Sequence, residues 1–131
     1  MKKEAISTDK APGAIGPYSQ AIRVGDWLFT SGQIALNPET NAMAANDVKA
    51  QTRQVLVNLK NVLEAGGSKL SNVIKTTVFV MDLGQFGTIN AEYESFFKEF
   101  GEGAAFPSRS TVQVSALPRG SLVEIEAIAK I

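Results

Sequence analysis

The fold is decided by the stretch Phe106-Pro-Ser-Arg-Ser-Thr-Val-Gln-Val-Ser-Ala-Leu-Pro-Arg-Gly-Ser-Leu-Val-Glu-Ile-Glu-Ala-Ile-Ala129. Its alternation of apolar and polar residues predicts two strands joined by a Pro-Gly turn. In the first strand the two faces carry Ser110, Val112, Val114 and Ala116 on one side and Arg109, Thr111 and Gln113 on the other. In the second they carry Val123, Ile125, Ala127 and Ala129 opposite Glu124 and Glu126.

Both predicted strands carry charged side chains on the face opposite their apolar residues. If they pair in one sheet with both apolar sets on the core, Arg109 lies on the same face as Glu124 and Glu126. An arginine and a carboxylate on a rigid sheet predict a site for a small carboxylate substrate and a water. The alternative is a surface or interface ion pair without a chemical role.

The composition is that of an ordinary soluble globular chain. Its 131 residues predict a single domain, 1–131, with 44% hydrophobic residues and 13 basic against 13 acidic side chains. The balanced charge gives no electrostatic footprint for nucleic acid or for a membrane surface. No apolar run has the length of a membrane span or of a secretory signal, so we expect a cytoplasmic protein.

The absent residue types narrow the chemistry. The chain contains no histidine and no cysteine, which excludes Ser-His-Asp triads, thiolate nucleophiles and Cys/His zinc sites. No acidic cluster has the spacing of a carboxylate metal site. We therefore predict neither a metal nor a cofactor.

The remaining elements follow from periodicity. Strands are predicted over 18–24 and 27–31, around the turn Gly25-Asp26, and a strand buried on both faces is predicted over 73–81. Apolar residues at three- and four-residue steps predict a helix over 46–65, and Asp82 is a candidate cap for a second, phenylalanine-rich helix ending at Phe100.

This order of elements predicts an α+β sandwich, with two helices on one face of a sheet. The other face would carry Phe79, Leu122 and Ile128 among polar residues. It is too apolar to be left in water, and a symmetric homo-oligomer would cover it.

Five segments carry a family resemblance: 15–20 (Ile-Gly-Pro-Tyr-Ser-Gln), 30–34 (Thr-Ser-Gly-Gln-Ile), 75–80 (Lys-Thr-Thr-Val-Phe-Val), 90–93 (Asn-Ala-Glu-Tyr), and the C-terminal signature with Pro107-Ser-Arg-Ser, Leu117-Pro118 and Val123-Glu-Ile125. With them the chain resembles the RidA (YjgF-like) family along nearly its whole length. The resemblance implies a chorismate-mutase-like α+β fold, with one mixed sheet and two helices on one face. It also implies a homotrimer with a central β-barrel and active sites between subunits.

The resemblance further implies an activity, the hydrolysis of 2-imino acids such as 2-iminopropanoate and 2-iminobutanoate to 2-keto acids and ammonia. Such imines are electrophilic and decay unaided in water, so positioning and one polarising group suffice, without a strong nucleophile. A chain without histidine and cysteine can catalyse this reaction. Its partners would be small 2-imino acids and further copies of itself.

By position in the family motifs, Arg109 matches the arginine that binds the substrate carboxylate, and Glu124 matches the glutamate that activates water. Thr111 stands where several members have cysteine, and its expected role is a backbone carbonyl to the water, which threonine retains. Tyr18 matches a tyrosine that lines the pocket. The resemblance also brings Ser31, Gly32 and Asn90 near the ligand.

Simpler interpretations stay open for several of these residues. Tyr18 is also explained as a packing residue, Ser31-Gly32 as a turn at a strand end, and Asn90 as a polar helix residue. We interpret the phenylalanine-rich helix as core. At the level of function, the cleft is also compatible with a non-catalytic sensor of keto acids or amino acids. A ribonuclease or translation inhibitor, a role attached to relatives, is disfavoured by the neutral charge and the missing histidine.

Overall fold

The computed structural model describes residues 2–131 and contains one sheet and two α-helices. The strands and helices, in chain order, are β1 (Glu4–Ile6), β2 (Ala21–Val24), β3 (Trp27–Thr30), α1 (Val48–Ala65), β4 (Val73–Val80), α2 (Phe86–Phe100), β5 (Ser108–Gln113) and β6 (Val123–Lys130). The sequence predicted all of them except the short β1, which has too few residues to show a period.

Both helices begin near the residues that the sequence indicated. The Asp47 carboxylate accepts hydrogen bonds from the backbone N–H groups of Lys49 and Ala50 at 3.4 and 3.2 Å and so caps α1. Asp82 caps a 3-10 turn over Leu83–Gln85, which leads directly into α2. The helices bury their apolar stripes, including Leu56, Leu59 and Phe96, against one face of the sheet.

The six-stranded sheet has the order β1-β2-β3-β6-β4-β5. All neighbours are antiparallel except β4 and β5, which are parallel and joined through α2. The α+β architecture with one mixed sheet and two helices is therefore confirmed.

The predicted pairing of β5 with β6 is wrong, because β4 lies between them. The segment 114–122 crosses the end of β4, where Val114 N–H donates to Val80 O at 2.9 Å and Met81 N–H to Leu122 O at 3.2 Å. The Pro-Gly turn at Pro118–Gly120 exists but belongs to this crossing, not to a hairpin. The apolar strand β4 thus has a neighbour on each side, β6 and the edge strand β5.

The register also corrects which side chains share a face. Arg109 lies opposite Thr76, which lies opposite Ala127, so Arg109 is on the helix-covered face. Glu124 lies opposite Phe79, which lies opposite Val112, on the open face. Arg109 and Glu124 are therefore on opposite faces of the sheet, contrary to the expectation from the sequence, and Ser110 and Val112 do not face the core.

The open face carries apolar side chains, as expected for Phe79 and Ile128, but Leu122 packs against the core instead. Phe29 and Ile128 are direct cross-strand neighbours, and Phe79 is flanked by Val112. Phe29 and Val112 are exposed, whereas Phe79 and Ile128 are half-buried. The strand β4 is thus buried fully on one face only, not on both as its composition predicted.

Candidate active site: two half-sites on opposite faces of the sheet

Two cavities divide between them the residues that the sequence singled out, except Thr111, which lines neither. The first, of about 420 Å³, is lined by Asn90, Tyr93, Glu94, Phe106, Pro107 and Arg109. The second, of about 460 Å³, is lined among others by Tyr18, Ser31, Gly32, Arg119 and Glu124. We call them the arginine half-site and the glutamate half-site.

In the arginine half-site, the Arg109 guanidinium lies over the faces of two aromatic rings. Its Cζ is 4.8 Å from the centroid of Tyr93 and 5.4 Å from that of Phe86, both on α2. The ion pairs within residues 2–131 do not include Arg109, and the one carboxylate that lines this cavity, Glu94, pairs instead with Lys98 at 3.0 Å. The guanidinium therefore keeps its planar fork of N–H donors available for a carboxylate ligand.

A buried hydrogen bond holds the ring of Tyr93 in place. Its hydroxyl shares a 2.7 Å hydrogen bond with the Thr76 hydroxyl, and both residues are buried. Burial raises the pKa of the Tyr93 hydroxyl above its ordinary value, against the lowering effects of the Thr76 hydrogen bond and the Arg109 charge. Tyr93 thus stays neutral and acts on Arg109 through its ring face.

Thr111 lies on the helix-covered face two residues after Arg109, opposite Val78. Val114, just after β5, donates its N–H to Val80 O on β4, so Ser110 and Val112 also direct their backbone N–H and C=O groups toward β4. Arg109 and Thr111 alternate with them and direct their backbone groups away from β4. Since β5 is an edge strand, the Thr111 carbonyl lies at the free edge of the sheet. It is available there to a ligand or a water.

Asn90 lines the same cavity, one turn before Tyr93 on α2. Its Oδ1 is buried and has no hydrogen-bond partner within the described residues. A buried acceptor without a donor is costly in a folded protein. It is therefore a position where an N–H or O–H of a ligand would be accommodated.

In the glutamate half-site, Glu124 is half-buried on β6. Burial raises the pKa of its carboxyl above the ordinary value, and the charge of Glu126 on the same face raises it further. A carboxylate with a raised pKa is a better proton acceptor than an exposed one. Glu124 thus has the properties of a general base for water.

Gly32 fixes the position of the Glu124 side chain. The segment after β3 continues beside β6, with hydrogen bonds from Gln33 N–H to Ile125 O at 2.9 Å and from Ile125 N–H to Gln33 O at 3.1 Å. This brings Gly32 so close that a Cβ there would lie 2.7 Å from Glu124 Cδ and 2.8 Å from Cγ. Only glycine accommodates the carboxylate in this position.

The loop around Tyr18 forms the outer wall. Tyr18 is 52% exposed, and its hydroxyl accepts a hydrogen bond from the Ile15 N–H at 3.3 Å. The Ser31 hydroxyl donates to the Ser19 carbonyl at 2.6 Å. Both residues line the glutamate half-site. The Ser31 proton is used in this contact, whereas the Tyr18 hydroxyl only accepts and keeps its own O–H available to donate to a ligand.

Two features of the site escaped the sequence. Gln20 is buried, and its amide accepts from Thr8 N–H at 2.7 Å and donates to Pro12 O at 2.7 Å, which ties the loop 8–12 to the glutamate half-site. Phe86, interpreted as core, is exposed and contacts Arg109 instead. Gln20 fell inside the strand predicted over 18–24, whereas β2 begins only at Ala21, so nothing in the sequence indicated its role in a loop. Nothing in the pattern of α2 separated Phe86 from the core.

Neither half-site contains a metal-binding cluster. Within residues 2–131, no three acidic, histidine or cysteine side chains are grouped to hold a metal ion. Over the same residues, the helices are too short or too polar to cross a membrane.

The mixed sheet and its two helices define the class, a small α+β protein, whose candidate site residues lie on both faces of the sheet. The chain belongs to the family described as Endoribonuclease L-PSP, whose model matches residues 8–131. This family includes the YjgF and RidA proteins, so the resemblance inferred from the sequence is confirmed.

Individual relatives are similar over almost their full length. The 2-iminobutanoate/2-iminopropanoate deaminase of Salmonella typhimurium is 52% identical over 126 residues, 96% of each chain. The crystal structure of the YjgF gene product of E. coli superposes with a TM-score of 0.92 at 51% identity, over 97% of this chain and 98% of that one. The E. coli TdcF structure with bound serine gives a TM-score of 0.93 at 47% identity, over 98% of each.

Proposed function

We propose that this protein hydrolyses 2-imino acids, such as 2-iminopropanoate and 2-iminobutanoate, to 2-keto acids and ammonia. The observation that carries the proposal is that the chain presents two groups suited to this reaction. One is the Arg109 guanidinium, which has no carboxylate partner, and the other is the half-buried Glu124, whose pKa is raised. The first suits the carboxylate of a small acid and the second suits a water. The name of the relative from Salmonella typhimurium, at 52% identity, supports the same reaction.

The chemistry follows from these groups. Arg109 binds the substrate carboxylate, and Glu124 takes a proton from a water whose oxygen bonds to the imine carbon. Glu124 returns this proton to the imine nitrogen as the carbon–nitrogen double bond becomes single. The hydroxyl proton of the adduct then moves by way of Glu124 to the same nitrogen, and the remaining carbon–nitrogen bond breaks to release ammonia and leave the keto group.

The remaining site residues take supporting roles in this proposal. The Thr111 carbonyl, at the free sheet edge, accepts a hydrogen bond from the water, and the unpartnered Asn90 Oδ1 accepts one from the substrate. Gly32 leaves room for Glu124, while Tyr18 and Ser31 shape the pocket wall.

We further propose that the active site is completed only between copies of the chain, in a homotrimer whose sheets enclose a central barrel. Neighbouring strands lie about 4.8 Å apart, so β5 and β6 are separated by about 10 Å, with Arg109 and Glu124 pointing to opposite faces. One chain cannot close its own half-sites on a substrate of a few atoms. The apolar open face and the free edge of β5 supply surfaces for such contacts.

The reaction is tested by the decay of 2-iminopropanoate and 2-iminobutanoate, generated by an amino-acid oxidase with semicarbazide competing for the imine. The protein should suppress semicarbazone formation, and Arg109→Ala and Glu124→Ala should each abolish the suppression while remaining folded. An unchanged semicarbazone rate with the unmodified protein would refute the proposed activity.

The division of the site between copies is tested by complementation. Co-expressed Arg109→Ala and Glu124→Ala chains should form mixed trimers in which about one quarter of the sites combine an intact arginine with an intact glutamate. Each variant alone should be inactive. Activity that stays absent in the mixed, trimeric sample would place both residues in one chain.

The second candidate function is a sensor of small amino or keto acids. It is favoured by the relative TdcF, whose crystal structure contains bound serine. Binding of 2-oxobutanoate by the unmodified protein, without acceleration over the spontaneous imine decay, would select it. The family description names an endoribonuclease, but the net charge of zero and the absence of histidine give this chain no basis for RNA cleavage.

A further inference from the structure

The Arg109 side chain carries a feature that carboxylate binding alone does not require. Its guanidinium is in contact with two aromatic faces, Tyr93 at 4.8 Å and Phe86 at 5.4 Å. We infer that Phe86 and Tyr93 are positioning residues that hold the guanidinium by its faces and so leave its N–H edge free for the substrate carboxylate. The inference rests on the proposed function, which it deepens.

The geometry of a guanidinium explains why rings suit this task. All its N–H donors lie in the plane, so a carboxylate used for positioning would occupy the fork that the ligand needs. An aromatic ring attracts the cation through its face and takes no donor. Phe86 and Tyr93 can therefore fix the side chain without competing with a substrate.

A second arginine of the same fold provides the contrast. Arg53 lies over the Phe96 ring at 5.4 Å, but it also pairs with Glu92 at 3.2 Å and Glu99 at 2.8 Å. Its fork is occupied, as expected for a structural ion pair between α1 and α2. Arg109 has the ring contacts without the carboxylates, which is the arrangement of a binding residue.

The two rings differ in how they are held, which makes them separable in an experiment. Tyr93 is buried, stacks on Phe97 at 4.6 Å between centroids, and is hydrogen-bonded to Thr76 at 2.7 Å. Phe86 is 39% exposed at the first residue of α2. Replacing Phe86 removes a ring face at small cost to the core, whereas replacing Tyr93 also disturbs packing.

The test compares Phe86→Leu with the conservative Phe86→Tyr. Because Arg109 binds the carboxylate equally in the ground state and the transition state, Phe86→Leu should raise KM roughly 3- to 10-fold and change kcat by less than about twofold. The dissociation constant of the product 2-oxobutanoate should rise by the same factor, and Phe86→Tyr should restore both. Phe100→Leu is the control, since the Phe100 ring contacts Lys60 at 5.2 Å on the helix side of the fold, outside both half-sites.

A third readout does not depend on activity. The Arg109 side-chain proton resonances should be shifted by the ring currents of Phe86 and Tyr93, and Phe86→Leu should remove part of that shift. A wild-type KM in Phe86→Leu, or unshifted Arg109 resonances, would overturn the inference. If the unmodified protein lacks deaminase activity, the proposed function fails, and the product affinity and the resonances still decide on the positioning role.

Discussion

The contact between Gly32 and Glu124 leads to the sharpest prediction, the substitution Gly32→Ala. The added Cβ would lie 2.7 Å from Glu124 Cδ, 2.8 Å from Cγ and 3.1 Å from Oε2. Carbon atoms in contact are normally about 3.5–4.0 Å apart, so the carboxylate must move by about 1 Å. A displacement of that size in a catalytic group costs about 100-fold in rate.

The stability cost should be smaller than the activity cost. Overpacking a site usually costs about 1–3 kcal/mol, and the freedom of the Glu124 side chain to swing away places this substitution near the lower limit, at about 1 kcal/mol. We therefore expect Gly32→Ala to fold and to lose about 100-fold in kcat/KM for 2-iminobutanoate hydrolysis. Steady-state kinetics and thermal unfolding measure the two effects separately.

Gly13→Ala is the matched control. Gly13 lines the same half-site, but a Cβ there would have no atom within 4 Å, so activity should be retained. A double-mutant cycle adds a second criterion, since Gly32→Ala should cost almost no stability in a Glu124→Ala background, where the clash is gone. Unchanged kcat/KM in Gly32→Ala would refute the view that Gly32 positions the carboxylate.

Three further predictions concern the glutamate half-site. Burial and the Glu126 charge raise the pKa of Glu124, so the acidic limb of the kcat/KM profile should lie above about pH 4.3, the ordinary glutamate value. Glu126→Gln should move that limb to lower pH. A limb that stays in place would refute the coupling between the two carboxylates. The folded state holds the Glu124 proton more tightly than the unfolded chain, so the free energy of unfolding falls as pH rises through the raised pKa of Glu124. Glu124→Gln should therefore stabilise the protein at pH values above that pKa, but not below about pH 4.3. Gln20→Leu removes the hydrogen bonds to Thr8 and Pro12 and should cost about 1–3 kcal/mol in thermal unfolding, with faster amide exchange at Thr8; protection as in the unmodified protein would show that the loop is held otherwise.

Local sequence patterns predicted most of the helices and strands, because the pattern of each one depends only on residues within that helix or strand. The period of α1 and its Asp47 cap lie within a few turns of chain, and so do the alternations of β5 and β6. The predicted ends were one to three residues too long at several strands, since β2 starts only at Ala21. The three-residue strand β1 gave no pattern at all.

The candidate site was predicted as a set of residue types but not as a geometry. The sequence supplied Arg109, Glu124 and the glycine and aromatic residues around them, and the absence of histidine and cysteine limited the chemistry they can perform. It did not reveal the buried Asn90 Oδ1 or the raised pKa of Glu124, because both depend on what packs around the group.

The sequence by itself determined the elements, the alternation within each strand and the chemical inventory, because these depend on neighbours along the chain. Only the tertiary structure decided that β4 enters between β5 and β6 and so sets their relative faces. Alternation fixes which residues of one strand share a face, but the face itself depends on the strand order, which non-local burial selects. That order places Arg109 and Glu124 on opposite sides of the sheet.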